Sequence, residues 1–323
     1  MLWGLTRYQW VVFVAAWLGW GFDVFDGLLF NFVAPFWFGV HVADTVGKVV
    51  NTHIFVPVEV STIVLAGLCG GIVWNITTWY LGLPTSSSHA LIGGFAGAGL
   101  MGAHLKHGSM CGVLAWNAID RIAVFIVLSP LIGILLGFAN TVIVMWVFRR
   151  FSPHRVDALF RRLQLVSAAA YSLGHGTNDA QKTMGLISVM LVSSGHLQAL
   201  PGGRLPVPAW VIALCAAAIA LGTMCGGWRI VKTMGLSITK LKPVGGFCAE
   251  TAGAATIIGA SIAGIPVSTT HTITGAIVGV GATHRLSAVK WGVAGRIVWA
   301  WVLTMPMAGL VGAGAYAAIN ALR

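Results

Sequence analysis

The chain has 323 residues, 57% of them hydrophobic and only 8% charged, whereas a soluble domain carries about a quarter charged residues. So few charges cannot cover a water-facing surface, which excludes an ordinary soluble enzyme and leaves an integral membrane protein with several spans. The formal net charge of +11 comes from 19 Lys and Arg against 8 Asp and Glu. Its basic residues fall between apolar runs rather than on a face alternating with aromatics, so it marks membrane topology and excludes a nucleic-acid partner.

Apolar runs occur at about 8–40, 60–82, 86–102, 112–148, 166–192, 207–228, 243–264, 268–282 and 290–318, long enough to enter or cross a bilayer. The glycine-rich runs 86–102 and 268–282 suit half-helices or re-entrant pieces. Between 148 and 164 lies a loop with Arg149, Arg150, Arg155, Arg161 and Arg162, and between 229 and 242 one with Arg229, Lys232, Lys240 and Lys242. Two segments separate them, so both fall on one side, which the excess of positive charge makes cytoplasmic. The same count puts 283–289 inside and 103–116 and 195–206 outside. Cys69, Cys111, Cys215, Cys225 and Cys248 are scattered without C-x-x-C spacing and read as small buried hydrophobes.

The segments 81–100, "LGLPTSSSHALIGGFAGAGL", and 263–282, "AGIPVSTTHTITGAIVGVGA", align at an offset of 182. Gly82, Pro84, Ser86, His89, Gly93, Gly97 and Gly99 meet Gly264, Pro266, Ser268, His271, Gly275, Gly279 and Gly281. "WNAIDRI" at 116–122 likewise echoes "WGVAGRI" at 291–297. Two homologous halves follow. With five segments in the second, they have opposite orientations, a plan that secondary transporters share, with substrate held near the midplane where broken helices meet. The expected fold is an all-α polytopic membrane protein with inverted repeats, broken helices and re-entrant hairpins, its first repeat lacking an opening helix. The parts are a foreign-looking helix at 1–29, the first and incomplete repeat at 30–148, the basic cytoplasmic loop at 149–165 and the second repeat at 166–323.

Within "GHGTNDAQKTMG", 174–185, polar groups crowd an apolar segment. Gly174 and Gly176 allow the helix to break beside His175, and Asn178, Asp179 and Gln181 would then coordinate a cation or take a proton. The plainer alternative is an Asp179–Lys182 pair on one helical face. Pro84 and Pro266 precede the hydroxyl clusters Ser86, Ser87, Ser88 and Ser268, Thr269, Thr270. A helix beginning there offers free N–H groups, a positive dipole end and hydroxyls to a tetrahedral oxyanion; simple N-capping is the alternative. Glu250 is a second candidate ion ligand, with pairing to a basic loop residue as the alternative. Asn75 either lines the path or bonds across helices, and His89, His175 and His271 are either pH-sensitive neighbours or structural hydrogen bonders. No phosphate-loop or zinc-binding motif is present, and no resident metal or other cofactor is expected.

From about Phe30 to Arg323 these motifs, with "HVADTVGK", "RRLQLVSAAAYSLGHGTNDAQKTMG" and "LKPVGGFCAETAGA", resemble the PiT inorganic phosphate transporters. The resemblance implies symport of phosphate, alone or as a neutral divalent metal–phosphate complex, driven by H+ or Na+ in a bacterial inner membrane, by a multi-pass homodimer. It implicates Ser86, Ser87, Ser88, Ser268, Thr269, Thr270, Asn178 and Asp179 in binding. Such proteins open on an acidic helix, whereas residues 5–30, with Asp23 and Asp26, resemble the first helix of major facilitator proton symporters. Loss of that first acidic motif would impair transport. Two rival readings are a symporter of the same architecture for sulfate or another oxyanion, and a non-transporting, recombined membrane protein.

Overall fold

The computed structural model describes residues 39–224 and 227–323; Asp23, Asp26 and the opening segment lie outside them. The described residues form helices and connecting turns, with no β-strand among them. In chain order these are α1 (His41–Gly47), a 3-10 turn at Thr52–Ile54, α2 (Pro57–Leu81), α3 (Ser87–His107), α4 (Trp116–Val147), α5 (Pro153–Ser193), α6 (Ala209–Met224) and α7 (Trp228–Lys232). A π-helical turn, Thr233–Ser237, leads on to α8 (Pro243–Ile262), α9 (Thr269–His284), a 3-10 turn at Leu286–Ala288 and α10 (Trp291–Ala321).

The helices α2, α4 and α10, with 25, 32 and 31 residues, are long and apolar enough to cross a membrane. Their outward faces are greasy: Leu135, Trp146, Trp299 and Leu310 are each about two-thirds exposed, as side chains that meet lipid must be. The run at 268–282 becomes α9, whose 16 residues span about 24 Å and fall short of the ~30 Å hydrocarbon core. The counterpart α3 is longer than its apolar run, because His104, Lys106 and His107 continue the helix to Gly108.

Two departures from expectation concern α5. The basic stretch at 149–165 is a loop only as far as Ser152, since α5 begins at Pro153. Proline at the first helical position is pre-organised for a helix, Asp157 and Arg161 pair one turn apart at 2.8 Å, and buried Phe160 packs edge-on against Phe148 and Phe247. Nor does the helix break at Gly174–Gly176: α5 runs unbroken for 41 residues. The missing side chain of Gly174 is used for close approach instead, since a Cβ there would come 3.0 Å from Ile258 of α8. Asn178, Gln181 and Lys182 find their partners through side chains, so no opened turn is required.

Two bundles form. In one, α3 packs between α2 and α10; in the other, α9 packs between α8 and α4. The long helix that follows each hairpin therefore crosses over to the opposite bundle. Glycines make the crossing close. A Cβ on Gly93 or Gly97 of α3 would collide with the backbone of Met305 or Gly309 on α10, and one on Gly275 or Gly279 of α9 with Pro130 or Ile134 on α4. The glycine pairs are 182 positions apart and their partners 175, so the two contacts are copies of each other. This is the packing that two related units with a common axis would give.

Candidate substrate and ion site

Each hairpin turn is fixed by local chemistry. Gly82 and Gly264 adopt φ of +66° and +69°, a left-handed geometry that glycine takes without steric cost. Pro84 and Pro266 follow, and then Ser86 and Ser268 cap α3 and α9 with ψ of 110° each, accepting the N–H of His89 and of His271 at 3.2 Å. The capping alternative thus holds for these two oxygens. Both serines are buried and set the direction of their helices. The next residues, Ser87 and Ser88 on α3 and Thr269 and Thr270 on α9, carry first-turn amides that have no acceptor within their helix.

Between the two helix starts stands the middle of α5. Lys182 donates to the hydroxyl of Ser88, to Asp179 Oδ1 at 2.7 Å and to the carbonyl of Val267 at 2.7 Å. Its three donors thereby join α5 to both hairpins. Thr269 donates to Asp179 Oδ2 at 3.3 Å, Ser88 lies 3.5 Å from Oδ1, and His175 Nε2 lies 3.6 Å from Oδ2. Thr270 donates to the carbonyl of Thr85 at 3.2 Å, tying one turn to the other. The Lys182 side chain is 2% exposed and that of Asp179 11%. An ion pair so deep is stable because every donor of the ammonium is engaged.

Two cavities flank this centre. One of about 650 Å³ is lined by Asn75, Ser87, Ser88, Asp179, Lys182 and Thr270. The other, of about 890 Å³, is lined by Gln164, Tyr171, His175, Glu250 and Thr270. His175 and Thr270 border both. Glu250 accepts from Ser167 at 2.5 Å and from Gln164 at 3.4 Å, and has no basic partner among the described residues.

The expected constellation is therefore partly regrouped. Ser88, Thr269, Thr270 and Asp179 meet, and Ser87 and Asn75 face the same cavity. Asn178 does not join them: it is fully buried and donates to Ser261 of α8 at 2.8 Å. Gln181 is no ion ligand here, because its amide accepts from Val42 N–H and donates to the Gly39 carbonyl, both at 3.0 Å, pinning the start of α1. His89 and His271 touch edge to face at 4.8 Å behind the turns, buried away from both cavities, and Trp301 stacks on His271 at 3.8 Å. Trp301 also donates to the Pro84 carbonyl at 3.0 Å, so it braces one hairpin against the helix of the other. The spacing of Lys182 from Asp179 predicts their pairing, but not the bonds of Lys182 to both hairpins. Trp301, Ser167 and Gln164 gave no signal, since their partners lie on other helices.

A helical membrane protein with paired hairpins converging on a buried polar centre has the plan of a membrane transporter. Residues 24–312 match the model of the phosphate transporter family. Over 300 residues the chain is 54% identical to a probable low-affinity inorganic phosphate transporter of Rhizobium meliloti, covering 93% of this chain and 86% of that one. It is 43% identical over 260 residues to a protein of the same description from Bacillus subtilis, covering 80% and 75%. Among solved structures, one described as the sodium-dependent phosphate transporter shares the fold, with a TM-score of 0.79 at 24% identity over 93% of this chain and 90% of that one. The chain belongs to the phosphate transporter family, PiT. It is a membrane transporter and not an enzyme. The family match begins at residue 24, six residues ahead of the boundary expected from the motifs.

Proposed function

We propose that this protein carries inorganic phosphate across a bacterial inner membrane, in symport with a cation. The observation that carries the reading is the convergence of both hairpin starts on the Asp179–Lys182 pair beside the Asn75 cavity. Phosphate in that cavity meets the hydroxyls of Ser87, Ser88 and Thr270, the free first-turn amides of α3 and α9, and the positive ends of two helix dipoles. Lys182 lies within reach of the same cavity and supplies a full positive charge.

Coupling follows from competition for that charge. While Asp179 is ionised it holds the ammonium. A proton on Asp179 releases Lys182 toward the phosphate, so proton and phosphate bind better together than apart, which is the thermodynamic requirement for symport. The ammonium at 2.7 Å from Oδ1, with Thr269 and His175 at Oδ2, stands where a sodium ion would sit, and this favours H+ over Na+ at Asp179. Glu250, in the neighbouring cavity with Ser167 and Gln164, is the second candidate carrier of the coupling ion. Relative motion of the two bundles would expose the centre to each side in turn.

Labelled phosphate uptake into proteoliposomes under imposed pH and sodium gradients tests this. The expected result is uptake driven by an inward proton gradient and lost in Asp179→Asn. Intact protein that moves no phosphate under any gradient would refute the activity, and full competition by equimolar sulfate would shift the substrate to oxyanions in general.

A further inference from the structure

A third cavity, of about 710 Å³, lies where α4 ends and α5, α8 and α9 meet. It is separate from the Asn75 cavity and meets the Glu250 cavity only at Leu241 and Lys242. Its rim carries Arg149, His154, Lys240, Lys242 and His284, drawn from helix ends and connections at three places far apart in the sequence. Asp157 also lines it, but Arg161 holds that carboxylate at 2.8 Å. Its floor is apolar, with Val144, Phe148 and Val280. The helices α5 and α8 both start at this rim, each with proline first and with no side-chain cap on the leading amides.

The outer wall is the last turn of α4. Met145 there lines the cavity and is 49% exposed, Phe138 and Val142 beside it on the helix surface are each 45% exposed, and Arg149, which also lines the cavity, stacks over the Trp146 ring at 5.2 Å. A tryptophan paired with an arginine at the end of an apolar span marks the level of the lipid headgroups. The groove is thus basic at headgroup depth and opens onto a greasy helix face.

We propose that this groove binds an anionic phospholipid, its phosphate held by Arg149, Lys240 and Lys242 and its chains laid along α4. Both halves of the ligand are accounted for. Basic pockets between spans on the positive side of a membrane protein take acidic headgroups, and the apolar floor with the exposed α4 face takes acyl chains. A free anion would use the rim alone and leave the floor wetted.

The test is native mass spectrometry of the delipidated full-length protein titrated with phosphatidylglycerol or with phosphatidylcholine. Phosphatidylglycerol should bind at least about tenfold tighter. The double variant Arg149→Gln/Lys240→Gln should weaken it about 25-fold, or about fivefold for each charge removed. Arg285→Gln/Lys290→Gln, which removes equal charge from the same side outside the groove, should stay within about twofold. Should the first double variant fail to fold, Lys240→Gln alone should show the fivefold loss. Equal losses in both double variants, equal binding of the zwitterionic lipid, or displacement of phosphatidylglycerol by about 10 mM inorganic phosphate would each overturn the assignment. The last result would identify the groove as a free-phosphate site.

Discussion

Replacing Lys182 with methionine keeps the bulk of the side chain and removes its charge. Asp179 would then be left with 11% of its side chain exposed, facing the Thr269 hydroxyl at 3.3 Å, the Ser88 hydroxyl at 3.5 Å and His175 at 3.6 Å. The Val267 carbonyl and the Ser88 hydroxyl would lose their donor as well. Breaking a buried ion pair from one side costs about 3–5 kcal/mol, because the surviving charge stays desolvated. The double variant Asp179→Asn/Lys182→Met leaves no charge behind and should recover about half of that loss or more. Thermal unfolding in detergent, followed by tryptophan fluorescence, reads all three variants and closes a double-mutant cycle. A cost for Lys182→Met below about 1 kcal/mol, or a double variant no more stable than that single one, would refute the reasoning. Either result would mean that water or another cation already solvates Asp179, or that the carboxylate takes up a proton once the ammonium is gone.

Other expectations concern the frame around this pair. Ser86→Ala and Ser268→Ala should each cost about 1 kcal/mol through loss of an N-cap, and by similar amounts because the two caps are copies; unequal costs differing by more than about 1 kcal/mol would argue against equivalent hairpins. Gly97→Ala and Gly279→Ala, whose new Cβ would run into a facing backbone, should reduce the yield of folded protein on size-exclusion chromatography, whereas Gly314→Ala, with open space at its Cα, should leave it unchanged. Gln181→Leu removes both ties at the start of α1 and leaves a buried amide and a half-buried carbonyl without their partner, at about 1–3 kcal/mol; hydrogen exchange at Val42 should speed up while that of α3 stays constant. Trp301→Phe keeps the ring on His271 but loses the bond to Pro84, and should slow uptake without abolishing phosphate binding, as measured by calorimetry.

The hairpins were legible because their instructions are local. Glycine, proline, capping serine and histidine fall within eight positions in each copy, and the N-cap bond spans only three residues. The convergence of the two turns followed from their repetition. The course of α5 through Gly174 and Gly176 was not legible, because a glycine pair serves equally to open a helix or to admit a neighbour. Ile258 on α8, which decides between them, lies more than eighty positions away. The same limit hid the duties of Asn178 and Gln181. Their residue types announce hydrogen bonding, but Ser261, Val42 and Gly39 are brought to them only by packing. Lys182 was legible only in part: its pairing with Asp179 is local, while its bonds to Ser88 and Val267 are not.

The crossover of the closing helices has a consequence for biosynthesis. α3 leaves the ribosome with a row of glycines whose counterpart, α10, is made about 180 residues later. At ~5–20 residues per second that is a wait of roughly 10–40 s, during which the nascent α2–α3 hairpin must rest against lipid or a chaperone. A message cut short just before codon 291 would therefore leave α4, α8 and α9 complete and strand the first bundle, made earliest, without α10, and quality-control proteolysis should remove the whole product rather than trim it.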